Sequence, residues 1–134
     1  MCYDWARKNS DYFFFVFRVF VGLFFAIHGA MKFGLIGKMN IAGVATAMGL
    51  PLWLMIIVAI IELVGGLMIL LGLFTRVAAT FTAIDMIGAI IYAHIPKGIL
   101  TGELAIIYLM TFLVLISQGG RIWRIDSLFM KKEI

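Results

Sequence analysis

The sequence predicts an all-α protein: a four-transmembrane-helix up-down bundle with a short interfacial helix between the first and second spans. Three observations predict it. Hydrophobic residues make up 64% of the chain and charged residues 13%, against about 25% charged residues in an ordinary soluble domain. Four mainly apolar runs are each about 20 residues long, enough to cross a bilayer. The loops between them are short, so we expect a single integral membrane domain over residues 1–134, and the composition excludes a soluble enzyme and a disordered chain.

The first predicted helix covers about residues 12–33 and contains the ionisable residues Arg18, His28 and Lys32. It begins after a stretch in which Asp4 and Asp11 dilute the positive charge that a cleavable signal peptide needs. We therefore expect this helix to remain in the mature protein.

A mildly apolar stretch rich in alanine and glycine follows at residues 39–48. It predicts a short helix or re-entrant piece at the membrane surface. The second transmembrane helix is then expected at about 52–74, with Glu62 as its only charge. Pro51 precedes it, at a point where a proline is tolerated because the first N–H groups of a helix have no partner.

The third helix is predicted at about 76–95, with Asp85 inside it and Pro96 at its end. Residues 72–76 are the whole connection from the second helix, and so short a turn makes the two helices antiparallel neighbours. The fourth and shortest helix is expected at about 102–118, because Gly119 and Gly120 end it.

The distribution of basic residues predicts the orientation. The net charge is +4, and Lys and Arg lie mostly in loops and at the ends of the chain. This is the pattern of a membrane protein that is oriented by its charge, so no nucleic-acid partner is expected. One side receives seven basic residues: Arg7, Lys8, Arg76, Arg121, Arg124, Lys131 and Lys132. The other receives Lys32, Lys38 and Lys97. Both termini are therefore expected in the cytoplasm, with the protein in the cell membrane.

Three charged residues lie deep in the predicted spans. At about 1.5 Å per residue, Arg18 lies roughly 9 Å from the cytoplasmic side, Asp85 roughly 14 Å and Glu62 roughly 18 Å. An unpaired charge at the centre of a membrane helix costs about 2.5–3.5 kcal/mol. We therefore expect Arg18 to pair with one or both carboxylates. These charges could form an ion pair that only fixes the helix register, or they could form a functional site. The sequence supports the two interpretations equally.

A second polar cluster is predicted near the external side, where His28, Lys32, His94, Lys97 and Glu103 fall close to the outer boundary. Lysines at this depth commonly extend to water, and a glutamate at a helix start is favoured by the helix dipole. His28 is deeper, and it stays open as a core histidine, a proton carrier or a ligand contact.

The outer half of the bundle is the predicted place for a binding pocket. Its expected boundaries are His28, Glu62, Tyr92 and Glu103, with residues 39–48 as a lid. Glycines at this level either draw helices together or leave a cavity; they are Gly29, Gly65 and Gly66.

Metal and haem sites are disfavoured by the sequence. The chain has one cysteine and two histidines, and no group of ligands has the spacing of a metal site. His28 and His94 could in principle hold a haem between them. However, His94 lies about opposite Asp85 in helical phase, so both cannot point inward unless the helix end unwinds.

The chain resembles the DoxX family of small four-helix membrane proteins, which includes DoxD-like subunits of quinone oxidoreductases. The resemblance rests on the order of short motifs: Arg18-x3-Gly22, Gly29-x2-Lys32-Phe33, Gly49-Leu50-Pro51, Glu62-x2-Gly65-Gly66, Leu71 to Ala79, His94, Glu103, Gly119-Gly120-Arg121 and Asp126. It implies membrane redox work, often linked to quinone and usually beside soluble partner proteins.

The function predicted from these features is a small membrane subunit of a quinone-linked oxidoreductase or redox-stress system. The expected ligand is a quinone, held in an apolar slot of Phe25, Met55, Met86 and Tyr92. Arg18 or His28 would donate to it, and Glu62 or Asp85 would exchange a proton. Because no electron carrier is visible, a redox partner is expected and catalysis by the chain alone is not. A non-catalytic scaffold and a small-molecule or proton transporter remain as alternatives, and a homo-oligomer stays open.

Overall fold

Over the part of the chain that the structure describes, the fold is an all-helical bundle with four helices long and apolar enough to cross a membrane. A computed structural model describes residues 2–122 and 124–129. Lys131 and Lys132, which belong to the predicted cytoplasmic charge, lie outside this part. The helices are α1 (Cys2–Lys8), α2 (Ser10–Lys32), α3 (Ile41–Met48), α4 (Leu52–Leu71), α5 (Thr75–Ala89), α6 (Glu103–Gln118) and α7 (Asp126–Phe129). A π-helical turn at Ile90–His94 and two 3-10 turns, Ile95–Lys97 and Ile99–Gly102, join α5 to α6. The predicted fold class is confirmed, although the sequence reasoning did not predict α1.

Helix α3 occupies the stretch for which a surface helix was predicted. The side chain of Asn40 accepts a hydrogen bond of 2.7 Å from the N–H of Gly43, which caps the start of the helix. Gly49 ends it with φ +68°, a left-handed conformation that favours glycine. The helix packs against α4, and so places Met48 beside the membrane-spanning core.

Helices α2 and α4 are in direct backbone contact through three glycines. A Cβ atom added to Gly29 would lie 2.4 Å from the backbone nitrogen of Leu63, and one on Gly66 would lie 2.4 Å from that of Ala26. Gly22 faces Leu70 at the same distance. Small residues permit this close approach of two transmembrane helices. The sequence left open whether these glycines draw helices together or leave a cavity. Gly29 and Gly66 draw α2 and α4 together.

The packed centre of the bundle is aromatic and aliphatic. Phe25 of α2 meets Phe112 of α6 with ring centroids 4.8 Å apart, and Ile69, Met86 and Leu115 complete this buried cluster. The opposite faces of the same helices expose large apolar side chains. Such an inverted surface is expected where lipid, and not water, surrounds the bundle.

Segments near both ends of the chain meet at one end of the bundle, here called the terminal end, which is formed by residues 9–11, 18, 72–75, 119–122 and 124–126. Arg121 forms an ion pair of 2.9 Å with Asp11. The backbone N–H of Phe74 donates to the Asp126 carboxylate at 2.7 Å, which holds the α4–α5 turn against the C-terminal segment.

Arg18 belongs to the terminal end, and its predicted pairing with Glu62 or Asp85 is wrong. Its guanidinium donates to the carbonyl oxygen of Gly120 at 2.7 Å and lies directly against Gly72. Gly72 follows Glu62 by ten residues, about 15 Å along a helix. The contact register of α2 and α4 therefore carries Arg18 away from both carboxylates.

Candidate functional site

A buried ion pair joins the other ends of α2 and α4. The ammonium nitrogen of Lys32 lies 2.7 Å from Oε1 of Glu62, and the two side chains are 13% and 5% exposed. Lys32 is the last residue of α2, and the glycine contacts below it bring its side chain level with Glu62. The prediction that Lys32 extends to water is therefore wrong: its charge is turned inward, to a carboxylate.

Asp85 supplies a second buried carboxylate beside this pair. Its side chain comes from α5 and is 9% exposed. Among the described residues, neither Asp85 Oδ2 nor Glu62 Oε2 has a hydrogen-bond partner. Buried polar atoms normally have a hydrogen-bond partner. These two oxygens therefore indicate a place where a bound group could donate hydrogen bonds.

The three charged groups line one cavity of about 230 Å³ between α3, α4 and α5, here called the carboxylate cavity. The rest of its wall is mostly apolar: Met48, Leu50, Leu54, Ile57, Val58, Ile61, Ile84, Gly88, Ala89 and Tyr92. Apolar walls with a few convergent polar groups are typical of small-molecule sites. Because drug-sized ligands usually occupy about 300–1,000 Å³, this cavity fits only a small head group.

A second cavity of about 260 Å³ lies on the other side of the ion pair and is here called the histidine cavity. Its wall includes Phe25, His28, Met86, His94, Thr101, Leu104, Ala105 and Tyr108. Lys32, Met48, Glu62 and Ala89 border both cavities. The Lys32–Glu62 pair is thus the partition between them, reachable from either side.

The π-helical turn at Ile90–His94 brings His94 to the histidine cavity. A π turn adds a residue to the helical repeat and so shifts the phase of everything after it. This resolves the phase conflict between Asp85 and His94, since the helix does unwind at that point. Gly102 packs against the His94 side chain, because a Cβ added to Gly102 would lie 2.9 Å from Cγ of the imidazole ring. Such turns are frequent at functional sites.

The remaining predicted site residues differ in whether they border a cavity. His28 is exposed, with Nδ1 2.9 Å from the carbonyl oxygen of Phe24 and its ring edge-on to Tyr108 at 5.8 Å. Tyr92 is 64% exposed, at the rim of the carboxylate cavity. Glu103 is exposed at the first turn of α6 and borders neither cavity. Glu62 alone of the predicted pocket boundaries reaches both.

Sequence reasoning missed Tyr108, an aromatic residue of the histidine cavity, whereas Met48, which borders both cavities, belongs to the segment predicted as a lid. Tyr108 stacks on Phe112 with centroids 5.8 Å apart and closes the wall opposite His28. Its signal was a polar-tipped aromatic ring one turn from a phenylalanine on an apolar helix. Across the residues with described structure, no three His, Cys, Asp or Glu side chains gather as metal ligands would.

Comparison with known proteins adds a family and two relatives. The DoxX family model matches residues 13–95. An uncharacterized protein of Haemophilus influenzae is 34% identical over 133 residues, covering 94% of this chain and 97% of its own. A Bacillus subtilis protein named "Putative oxidoreductase CatD" is 33% identical over 116 residues, covering 85% and 84%. No solved structure matches the chain.

Proposed function

This chain belongs to the DoxX family, and from that premise we propose that it is a small integral membrane component of a quinone-linked oxidoreductase or redox-stress system. The name of the Bacillus subtilis relative links that protein to redox chemistry. The coarse assignment to a membrane protein rests on the family and on four apolar helices. The quinone and the partner are the proposal.

The carboxylate cavity is the observation that carries it. A quinone head group needs an apolar slot, a hydrogen-bond donor and groups that exchange protons. Apolar side chains of α3, α4 and α5 supply the slot, and Lys32 supplies the donor. Glu62 and Asp85 supply the proton acceptors. Arg18, one of the donors expected from sequence, is replaced in this role by Lys32.

The open side of the cavity suits a ligand that arrives through the bilayer. Ile57 of α4, Ile84 of α5 and Tyr92 of the π-helical turn line it and are themselves exposed. A head group can therefore enter while an apolar tail stays in lipid. The single cysteine leaves no iron–sulfur cluster within this chain, so electrons would pass to or from a soluble or membrane redox partner.

Retention of quinone after mild detergent extraction tests the proposal. We expect the purified wild-type protein to carry a quinone, in its oxidised or reduced form, detectable by mass spectrometry of the extracted small molecules. Gly88→Leu should abolish retention, because Gly88 lines the carboxylate cavity and has nothing within 4 Å of its added Cβ. Asp85→Asn should weaken it.

The matched control is Ile87→Phe, which adds volume at the neighbouring lipid-facing position and should retain the quinone. Absence of quinone from the wild-type protein under conditions that preserve its fold would contradict the proposal. Equal retention by Gly88→Leu and Ile87→Phe would contradict the assignment to this cavity.

A non-catalytic scaffold is the second candidate. Two features favour it: the glycine contacts between α2 and α4, and the buried Lys32–Glu62 ion pair. Both features stabilise helix packing without requiring a ligand. The two functions separate in one experiment: a scaffold would keep its protein partner in the Gly88→Leu variant and would carry no quinone in any variant.

The proposed orientation places both termini in the cytoplasm of a protein in the cell membrane. In a Cys2→Ser background, Lys38→Cys and Lys97→Cys should react in intact cells with a membrane-impermeant thiol reagent. Arg121→Cys, at the terminal end, should react only after the cells are opened. Labelling of Arg121→Cys in intact cells, with Lys38→Cys protected, would reverse the orientation.

A further inference from the structure

The hydrogen-bonding capacity of the carboxylate cavity is unbalanced toward acceptors. One ammonium group, on Lys32, faces two carboxylates, and its bond to Glu62 Oε1 leaves Glu62 Oε2 and Asp85 Oδ2 without a donor from the described residues. Both oxygens are buried. The three charges sum to −1 if both acids are ionised, so the cavity demands a donor of hydrogen bonds more than another acceptor.

The oxidised and reduced forms of a quinone differ in this respect. The carbonyl oxygens of a quinone only accept hydrogen bonds, whereas each hydroxyl of the reduced form both donates and accepts. A quinone could accept from Lys32, but it would leave both carboxylate oxygens without a donor and would place partial negative charge beside them. The diol can donate to both carboxylates while its oxygens still accept from Lys32.

We propose that the carboxylate cavity selects the reduced, dihydroxy form of an aromatic head group over the oxidised quinone. This inference rests on the proposed function and deepens it, because it names the form of the ligand that the membrane protein takes up. Glu62 and Asp85 accept hydrogen bonds from the hydroxyl groups, and Lys32 holds the Glu62 carboxylate in place. The small volume of the cavity limits the head group to one or two rings.

Equilibrium binding to the full chain in lipid nanodiscs tests the selection with three probes of the same ring system. They are 1,4-naphthohydroquinone kept reduced under anaerobic conditions, 1,4-naphthoquinone, and 1,4-dimethoxynaphthalene. The last probe has the shape of the diol and no O–H group. Partitioning into empty nanodiscs is subtracted, because all three probes dissolve in lipid.

The diol should bind at least tenfold more tightly than the quinone, since a hydrogen bond to a buried charged group contributes about tenfold or more in affinity. Asp85→Leu should reduce this ratio by about tenfold, because it removes one of the two acceptors and leaves Glu62 as the other. Asp85→Asn, which keeps the side-chain volume, provides a second variant should the leucine disturb folding, and it should lower the ratio in the same direction. Glu103→Leu removes an exposed carboxylate outside both cavities and should leave the ratio unchanged.

The outcomes are distinguishable. If quinone and diol bind equally, or the quinone binds more tightly, the selection is overturned while the quinone-site proposal stands. Equal binding of the diol and its dimethoxy analogue would also overturn the selection, because donation by O–H would then not be its cause. If no probe binds above empty nanodiscs, both the selection and the proposed function fail.

Discussion

Gly29→Ala and Gly66→Ala are each expected to destabilise the folded bundle severely, although each adds only one methyl group. The added Cβ would lie 2.4 Å from backbone nitrogen on the facing helix, and backbone cannot rotate away as a side chain can. The two helices must separate, which disturbs the whole α2–α4 interface. Overpacking of this kind costs about 1–3 kcal/mol and occasionally more. Thermal or SDS-induced unfolding in detergent, followed by circular dichroism, measures the loss.

The matched control is Gly88→Ala, on α5. A Cβ there has nothing within 4 Å, and alanine favours a helix over glycine by about 0.5–1 kcal/mol. This variant should therefore unfold at the same temperature as wild type or slightly higher. Wild-type stability in Gly66→Ala would show that the two backbones are not in contact.

Lys32→Met is expected to produce the second large effect. It removes the ammonium group and leaves Glu62 and Asp85 as two buried carboxylates in one cavity. Breaking a buried pair from one side costs about 3–5 kcal/mol, because the remaining charge has no compensation. Glu62→Gln should cost less, since Asp85 remains in the same cavity as a counter-charge for Lys32. The same unfolding measurement compares the two.

The double variant Lys32→Met/Glu62→Met should recover part of the stability lost in Lys32→Met, because Glu62 is then no longer a buried carboxylate without its partner, whereas Asp85 still is. Lys38→Met, at an exposed lysine outside the cavities, serves as the control and should behave as wild type. If Lys32→Met unfolds like Lys38→Met, the ion pair does not stabilise the bundle.

Much of the fold follows from composition and local pattern. Apolar runs of membrane-spanning length predict the four helices, because a bilayer leaves the backbone no other way to satisfy its hydrogen bonds. The helical repeat also accounts for the buried face of α2, because Arg18, Gly22, Phe25 and Gly29 fall on one side of the helix and are all buried. Helix α1 was missed because its residues are largely polar or exposed and precede the apolar run.

Only part of the candidate site could be predicted by this reasoning. Depth estimates brought Arg18, Glu62 and Asp85 together because each helix was measured separately from a common plane. They could not show that Lys32 reaches inward to Glu62 or that Arg18 reaches Gly120 instead. The π turn before His94 was likewise invisible, since a phase calculation assumes one constant repeat.

The sequence by itself determined that the protein lies in a bilayer, the number of its spans and the buried face of α2, because these depend on hydrophobicity and on a local repeat. Only the tertiary structure decided which buried charges meet. That choice depends on the axial register between α2 and α4, which is set by backbone contacts at Gly22, Gly29 and Gly66. It also depends on the π turn that rotates His94. Both are relations between parts of the chain distant in sequence or departures from a regular helix, and neither is encoded in the periodicity of any single segment.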